Sequence, residues 1–341
     1  MTPRRGILLA VIGAIVLAGG WYASRPDPGT VVQSGAGSLV FPGLAAKLEN
    51  AARIDIATGD KKVSIVRAGD AWGVAERDGY PVMAGKLRAL LTGLTELRLV
   101  EPRTADPAQY GRLGVEDPSP TAADATSLRV LDAKGAPLAE LILGHRRTRT
   151  AGNLPESIYI RRPGDAQSWL AEGRVEADAD LQSWFDRDII SIAPDKITAV
   201  TATRGEDKLV FARQDGKLVL TEPAEHPALD EQKVQDVARG LDSLTFMDVQ
   251  PAAAMTGDKM GKPLGSSVFT DDEGTTVTVT LSREGADHLW ARFAASGKQA
   301  DGLNTRLGKW VYELGTWKEK AILPALSDLA APPPPPAKPT Q

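Results

Sequence analysis

The stretch that decides the fold is Arg53-Ile54-Asp55-Ile56-Ala57-Thr58, with a turn at Gly59-Asp60 and a return through Lys62-Val63-Ser64-Ile65-Val66-Arg67. Apolar and polar residues alternate on both sides of this turn, and that period is typical of strands that bury one face. A second turn at residues 68–70 leads into Ala71-Trp72-Gly73-Val74. The sequence therefore predicts an antiparallel meander of three strands.

The same pattern returns in the second half of the chain. Its three runs are Ile197-Thr198-Ala199-Val200-Thr201-Ala202, Lys208-Leu209-Val210-Phe211-Ala212-Arg213 and Lys217-Leu218-Val219-Leu220. In both halves an amphipathic helix is predicted next, because leucines or valines recur at helical spacing. The stripes are Leu87, Leu90, Leu91, Leu94 and Leu97 in the first half, and Val234, Val237, Leu241 and Leu244 in the second.

Each half continues with a predicted hairpin and one further strand. The hairpins cover residues 127–143 and 267–281, and the strands cover 157–161 and 288–293. Repetition of so many elements in one order indicates a duplicated fold. We therefore expect an α+β protein of two tandem similar halves, residues 39–192 and 193–328, each a mostly antiparallel sheet covered by helices, behind an N-terminal transmembrane helix.

Tryptophans close both predicted halves. They are Trp169 and Trp184 in the first half, and Trp310 and Trp317 in the second. Aromatic side chains can form platforms that stack on sugars, but recurrence at matching places favours packing against the sheet. The surrounding pattern predicts that all four lie in short helices.

Residues 6–23 are predicted to anchor the protein in a membrane. The run carries no charge and is rich in Ile, Leu, Val, Ala and Gly, and a helix of about 20 such residues crosses a bilayer core. Arg4 and Arg5 precede the run, so residues 1–5 are expected in the cytoplasm. The bulk of the chain is then periplasmic or extracytoplasmic, tethered to the inner membrane by a single pass.

A cleaved secretory signal is the alternative interpretation of this segment. Signals end at a small-x-small site, and Trp21 occupies the small position if cleavage follows Ala23, although residues 18–20 offer a weaker site. The chain has no cysteine, which excludes a lipoprotein, disulfides and thiolate metal ligands. If the helix is retained, its candidate contacts with another membrane helix are Gly13, Gly19 and Gly20.

Composition bounds the class of partner. Residues 1–25 contain three arginines and no acidic residue, so 37 basic residues face 44 acidic ones in the remainder. Nucleic acid is therefore not an expected partner, because phosphate backbones are bound by basic patches. Residues 24–38 form a linker rich in Pro, Gly and Ser, and residues 329–341 form a proline-rich tail that we expect to be disordered.

Several segments together resemble a known family. They are residues 73–102, the loop Tyr110-Gly111-Arg112-Leu113-Gly114-Val115-Glu116-Asp117-Pro118, residues 141–144 with 157–161, and Trp184-Phe185-Asp186-Arg187-Asp188-Ile189-Ile190. The resemblance is to the domain-of-unknown-function family numbered 4340, over most of residues 39–326. It implies a membrane-anchored protein, often encoded beside ABC-type permease and gliding-motility-like transport components. Arg112 departs from the family pattern by lengthening its loop, and the family supplies no active residues.

No catalytic or cofactor signature is present, so the sequence predicts no catalytic, cofactor-binding or metal-binding residues and no cofactor. The nearest phosphate loop, residues 79–87, has the wrong glycine spacing, and Lys86 is predicted to be a solvated helix residue. The acidic run at 176–180 lacks the glycine and final glutamate of a calcium loop and indicates a helix start. The three histidines, which a zinc site would need to converge, are His145, His226 and His288.

The most concentrated positive charge outside the anchor is His145-Arg146-Arg147-Thr148-Arg149. Arg146, Arg147 and Arg149 are candidate contacts for an anion or an acidic partner loop. The alternative is an exposed hairpin loop that the charges keep soluble.

The leading functional hypothesis is a non-enzymatic, membrane-tethered auxiliary subunit of an ABC-type transport or envelope-maintenance complex. It would act through protein–protein contacts, with a membrane protein such as a permease as partner. A solute- or glycan-binding module that uses the cleft between the two halves is the alternative. A hydrolase with dispersed active-site residues is a third hypothesis.

Overall fold

The computed structural model describes residues 36–147 and 156–332. Nine antiparallel strands form a first sheet, in the spatial order β4-β3-β2-β1-β6-β7-β8-β9-β5. These strands are β1 (Ala51–Thr58), β2 (Lys61–Ala68), β3 (Ala71–Val74), β4 (Tyr80–Pro81), β5 (Arg98–Pro102), β6 (Thr126–Asp132), β7 (Pro137–Arg147), β8 (Ser157–Arg161) and β9 (Ser168–Glu172). The predicted meander is confirmed as β1 to β3.

A second antiparallel sheet of eight strands follows, and a separate two-stranded pair lies beside it. The pair is β10 (Asp188–Ile190) with β14 (Leu244–Thr245). The strands of the second sheet are β11 (Ile197–Arg204), β12 (Asp207–Gln214), β13 (Lys217–Glu222), β15 (Asp248–Pro251), β16 (Lys262–Asp271), β17 (Thr276–Glu284), β18 (His288–Ser296) and β19 (Trp310–Leu314). Their spatial order is β13-β12-β11-β16-β17-β18-β19-β15. The architecture is α+β with mostly antiparallel sheets, as predicted.

The described residues contain few α-helices, and most of these are short. They are α1 (Leu44–Lys47), α2 (Ala84–Glu96), α3 (Glu231–Val237), α4 (Ala300–Leu307), α5 (Glu319–Ile322) and α6 (Leu326–Leu329). The chain enters α2 from β4 and leaves it into β5, which lie at opposite edges of the first sheet, so α2 has to cross a face of that sheet. Leu87, Leu90 and Leu94 of the predicted stripe are buried on this crossing.

The second predicted helix is shorter than its apolar stripe suggested. Its α-helical part ends at Val237, a 3-10 turn covers Ala238–Leu241, and Leu244 belongs to β14. Gly240 lies in this turn against the Phe269 ring and the carbonyl of Ala321. Contacts with distant residues therefore end the helix before the local periodicity does.

Three of the four tryptophan predictions need correction. Trp169 lies in β9 and Trp310 begins β19, where each pairs with a proline of an edge strand. Short apolar runs carry too little periodicity to separate a strand from a helix, and here strand pairing decides. Trp317 lies in a 3-10 turn but is 72% exposed, because its ring lies over Gly315 instead of packing on the sheet. Trp184 is fully buried in a 3-10 turn.

The two sheets meet at a packed aromatic junction. The ring of Tyr80, in edge strand β4, contacts the rings of Phe185, Phe246, Trp310 and Tyr312 at centroid distances of 5.0–6.3 Å. Its hydroxyl donates to the carbonyl of Asp186 at 2.9 Å. Aromatic side chains therefore pack together where the two sheets meet.

The predicted anchor, residues 6–23 with Gly13, Gly19 and Gly20, lies outside the described residues. So do the cytoplasmic N-terminus at 1–5, most of the linker at 24–38 and most of the tail at 329–341. Within the part of the chain that the structure describes, no helix is both long enough and apolar enough to span a membrane.

Candidate functional site

A cavity of about 550 Å³ opens at one end of the first sheet, and we refer to it as the cleft. Its wall on the strand side is formed by Thr58, Lys61, Thr126 and Arg146. Lys86 of α2 and the acidic loop, residues 176–180, form the opposite wall. The cleft therefore brings cationic and anionic side chains together in one depression.

The antiparallel order of the strands places the four strand residues together. Thr58 ends β1 and Thr126 begins β6, and the two residues are paired in the strand register with their hydroxyl oxygens 2.7 Å apart. Lys61 begins β2, directly after the turn that follows Thr58. Arg146 is the next-to-last residue of β7. Each of these residues lies where its strand begins or ends, and this end of the sheet forms one wall of the cleft.

The sequence predicted that Lys86 is a solvated helix residue, and this prediction was wrong. Its side chain is only 17% exposed. The ammonium donates to the hydroxyl of Ser183 at 2.7 Å and to its carbonyl at 3.2 Å, and lies 3.5 Å from a carboxylate oxygen of Asp178. It also lies 4.6 Å from the centre of the Trp184 ring. Residues 178–184 fold back over the start of α2. No local sequence pattern predicts the contact between these residues and Lys86.

The arginines of the basic stretch differ in their surroundings. Arg146 and Arg147 are exposed, as expected of a charged loop, but they belong to strand β7 and not to a hairpin loop. Arg146 donates to the carbonyl of Val175 at 2.7 Å, and its guanidinium lies 4.0 Å from the carboxylates of Glu156 and Glu176. Arg147 is exposed at the end of the strand. Arg149 lies outside the described residues.

The acidic loop begins a helical turn, as predicted. Asp180 accepts a hydrogen bond from the backbone N–H of Gln182 and caps the 3-10 turn Leu181–Trp184. Asp178 accepts from the N–H of Asp180 at 2.9 Å, and Glu176 accepts from Arg174 at 2.8 Å. Within residues 36–147 and 156–332, no group of three metal-ligating side chains converges.

Two carboxylates of this loop are held ionised. The hydrogen bond from Arg174 lowers the pKa of Glu176 below its ordinary value, against a smaller opposing effect of burial. Burial alone would raise the pKa of Asp178, but the N–H of Asp180, the hydroxyl of Ser183 and the ammonium of Lys86 outweigh it and lower that pKa. A general acid needs a pKa near the working pH, and these carboxylates are shifted away from it.

The end of the second sheet where β11 finishes carries an ion-pair network beside a smaller cavity of about 350 Å³, which Arg204 and Asp207 help to line. Arg204 ends β11, as Thr58 ends β1, and its guanidinium donates to the carboxylate of Glu319 at 2.9 Å and to the carbonyl of Leu323 at 2.8 Å. Arg283, the next-to-last residue of β17, holds the second oxygen of Glu319. Gly265 lies beside Arg204, and a Cβ there would approach the carbonyl oxygen of Thr203 to 2.1 Å and the Arg204 Cα to 3.1 Å.

The histidines do not converge on a metal site. The imidazole of His145 lies 3.6 Å from Asp124, that of His226 contacts the carbonyl of Pro227, and that of His288 lies 2.6 Å from Glu313. Sequence reasoning identified only Arg146 among the side chains of the strand wall. Thr58, Lys61 and Thr126 carry no local signal.

The loop that carried the family resemblance is held in place by a buried arginine. The side chain of Arg161 is 4% exposed. It donates to the carbonyl of Val115 at 2.8 Å and to the carboxylate of Asp117 at 2.5 Å, and stacks over the ring of Tyr110 at 4.6 Å. These contacts give the loop a structural role.

Comparison with known families decides the relationship of this chain. Residues 72–263, more than half of its length, match the family described as a domain of unknown function, DUF4340. The chain belongs to the DUF4340 family. No curated protein and no solved structure matches it. The matched region of this DUF4340 member includes Lys86, Arg146 and the acidic loop, whereas Thr58 and Lys61 lie before it.

Proposed function

We propose that this DUF4340 protein is a non-enzymatic auxiliary subunit of an ABC-type transport or envelope-maintenance complex. In this proposal residues 6–23 tether it to the inner membrane, and its folded part captures a membrane-protein partner such as a permease outside the cytoplasm. The transport context comes from the family resemblance. The contact with the partner is assigned to the cleft of the first sheet.

The observation that carries the proposal is the difference between the matching ends of the two sheets. In the second sheet Arg204 and its partner Glu319 occupy this end. In the first sheet Thr58 stands at the same strand position, and about 550 Å³ stays open beside it. The second sheet pairs Arg204 with a carboxylate of its own and leaves a smaller cavity of about 350 Å³ there, whereas the first sheet leaves a larger and charged cleft that is suited to binding.

The electrostatics of the cleft support binding more than catalysis. Glu176 and Asp178 have lowered pKa values, and Lys86 is engaged by Ser183 and Asp178. Groups held in one charge state by ion pairs make specific contacts but are poor proton donors and acceptors at neutral pH.

The proposal includes a duplicated ectodomain, with halves at residues 39–192 and 193–328. Without β4, the first sheet has the order β3-β2-β1-β6-β7-β8-β9-β5. The second sheet repeats it as β13-β12-β11-β16-β17-β18-β19-β15. Two unrelated segments are not expected to share this strand order, because in each sheet a helix has to carry the chain from one edge to the other.

Local details also support duplication. The carboxylates of Asp132 and Asp271 each accept two backbone N–H groups in the hairpin that follows β6 or β16. Gly93 and Gly240 lie at similar places in their helical segments. In each case a backbone carbonyl from later in the same half lies close by, that of Arg174 for Gly93 and that of Ala321 for Gly240. A crystal structure in which the eight matching strands do not superpose in register would contradict the duplication.

The role of the cleft in partner binding is tested by filling it with the residues that the second sheet has at the same strand positions. The double variant Thr58→Arg with Thr126→Gly places an arginine and its neighbouring glycine where Arg204 and Gly265 stand. We expect partner proteins that co-purify with the full-length chain from detergent extracts to be lost. The control is Arg204→Thr alone, which alters the second sheet and should leave co-purification intact. Equal capture by both variants would contradict the role of the cleft.

The anchor is tested separately. Replacing residues 6–23 by an unrelated membrane-spanning helix should preserve membrane localisation and remove any contact made through Gly13, Gly19 and Gly20. If the complex forms equally well with the replacement, the segment is a tether alone.

A small-solute-binding module is the second candidate, and the size of the cleft favours it, since small-molecule sites measure about 300–1,000 Å³. The site would be the cleft, because Tyr80 and its aromatic neighbours fill the junction. A thermal shift with a small-molecule or glycan library, without a co-purifying protein, would favour this candidate.

A further inference from the structure

Within the part of the chain that the structure describes, two cationic side chains of the cleft, Lys61 and Arg146, keep N–H donors that are not used in hydrogen bonds. Among the described residues, the ammonium of Lys61 has no ion-pair or hydrogen-bond partner. Arg146 donates one N–H to the carbonyl of Val175. Its nearest carboxylates, those of Glu156 and Glu176, lie at 4.0 Å, beyond hydrogen-bond distance. The cleft therefore offers unused donors from β2 and from β7.

The carboxylates on the opposite wall are already engaged. Glu176 accepts from Arg174, Asp178 accepts from the N–H of Asp180, and Asp180 accepts from the N–H of Gln182. An arriving cation would compete with these internal donors. An arriving anion would meet N–H groups that have no other acceptor, and hydrogen bonds between such charged groups are the strong ones.

The second sheet contains an internal version of the same interaction. Arg204 and Arg283 together grip the carboxylate of Glu319. Burial alone would raise the pKa of Glu319, but the two arginines outweigh it and lower that pKa. Arg146 pairs with β8 as Arg283 pairs with β18, yet its nearest carboxylates, those of Glu156 and Glu176, lie at 4.0 Å and outside hydrogen-bond distance.

We infer that the cleft binds a side-chain carboxylate from an acidic segment of the partner protein, with Lys61 and Arg146 as its donors. This inference rests on the proposed function and names the chemistry of the partner. A doubly charged phosphate fits less well, because Glu176, Asp178 and Asp180 line the opposite wall and repel it more strongly than they repel a single carboxylate.

Titration with defined probes tests the inference without the native partner. The full-length protein in detergent is titrated calorimetrically with a capped peptide of alternating glutamate and serine, with the same peptide carrying glutamine, and with inorganic phosphate. We expect binding of the glutamate peptide, weaker binding of phosphate and none of the glutamine peptide. High salt should weaken the interaction, because exposed charges are screened.

Strand geometry provides matched variants. Lys61 lines the cleft, whereas the side chain of Lys62 points to the opposite face of β2. Lys61→Asp, which installs the residue type of Asp207 at the start of β12, and Arg146→Gln should each weaken binding of the glutamate peptide about tenfold or more. Lys62→Asp changes the net charge equally and should leave the affinity unchanged. Lys61→Gln repeats the test if Lys61→Asp unfolds.

Three outcomes would overturn the inference: equal binding of both peptides, tighter binding of phosphate, or equal loss in the Lys61 and Lys62 variants. The last would show that only overall charge matters. Failure of the proposed function is distinct, because it would leave the glutamate peptide bound while the cleft-closing variant still captured its partners.

Discussion

Arg77 and Asp248, 171 residues apart in the chain, form a two-pronged ion pair across the junction of the two sheets. The guanidinium Nη2 lies 2.9 Å from one carboxylate oxygen, and Nε lies 3.2 Å from the other. Both side chains are about one-fifth exposed, at 20% and 18%. With the aromatic rings around Tyr80, this pair fixes the edge of the first sheet against the edge of the second.

Arg77→Ala or Asp248→Ala should lower the free energy of unfolding by about 1–3 kcal/mol, because each leaves a partly buried charge without its partner. A double-mutant cycle from urea unfolding measures the coupling. The control pair is Arg129 with Glu140, which is 46% and 31% exposed and should contribute less than about 1 kcal/mol. Equal coupling energies in the two pairs would show that the Arg77–Asp248 pair contributes no more to stability than an exposed ion pair does.

Two glycines of α2 should respond to alanine in opposite directions. A Cβ at Gly93 would lie 2.0 Å from the carbonyl oxygen of Arg174, whereas a Cβ at Gly85 meets nothing within 4 Å. Gly85→Ala should therefore stabilise the protein by about 0.5–1 kcal/mol through helix propensity. Gly93→Ala should destabilise it by about 1–3 kcal/mol through overpacking. Thermal unfolding of the two variants checks the signs, and stabilisation by both would refute the close approach of residue 174.

The hydroxyl of Tyr80 should contribute to the junction separately from its ring. Tyr80→Phe removes the hydrogen bond to the carbonyl of Asp186 and should cost about 1 kcal/mol. Tyr80→Ala also removes the ring contacts and should cost about 3–5 kcal/mol. Burial raises the pKa of the Tyr80 hydroxyl above its ordinary value. Spectrophotometric titration of the folded protein should therefore show a late-ionising tyrosine signal that Tyr80→Phe reduces and that Tyr312, whose pKa is also raised by burial, retains.

The Glu319 network should make stability depend on acid pH. Because the folded-state pKa of Glu319 is lowered, its contribution is present above the unfolded value of about 4.3 and is lost as pH falls through the lower folded value. The difference in unfolding free energy between the native protein and Glu319→Gln should be constant near neutral pH and shrink in acid. Glu225→Gln, at an exposed site, is the control and should show no such trend. A gap that widens in acid would contradict the network.

Local sequence was sufficient where local geometry governs the structure. The alternation around the turn at 59–60 and around Gly205 predicted the paired strands correctly, since a strand that buries one face needs that period. The leucine stripe of α2 was also correct. The ends of helices and the short strands were less predictable from the sequence. Trp169 and Trp310, for example, lie in strands whose pairing partners are distant in the chain.

The sequence by itself determined the period of each strand, the amphipathic face of α2, the absence of thiol chemistry and the family of the chain. Only the tertiary structure decided which charges are free. Lys86 and Arg146 carry the same sign, but one is surrounded by Ser183 and Asp178, and the other opens on the cleft with Lys61. The reason is physical: periodicity is a property of neighbouring residues, whereas the pairing of a charge depends on groups that the fold brings from elsewhere in the chain.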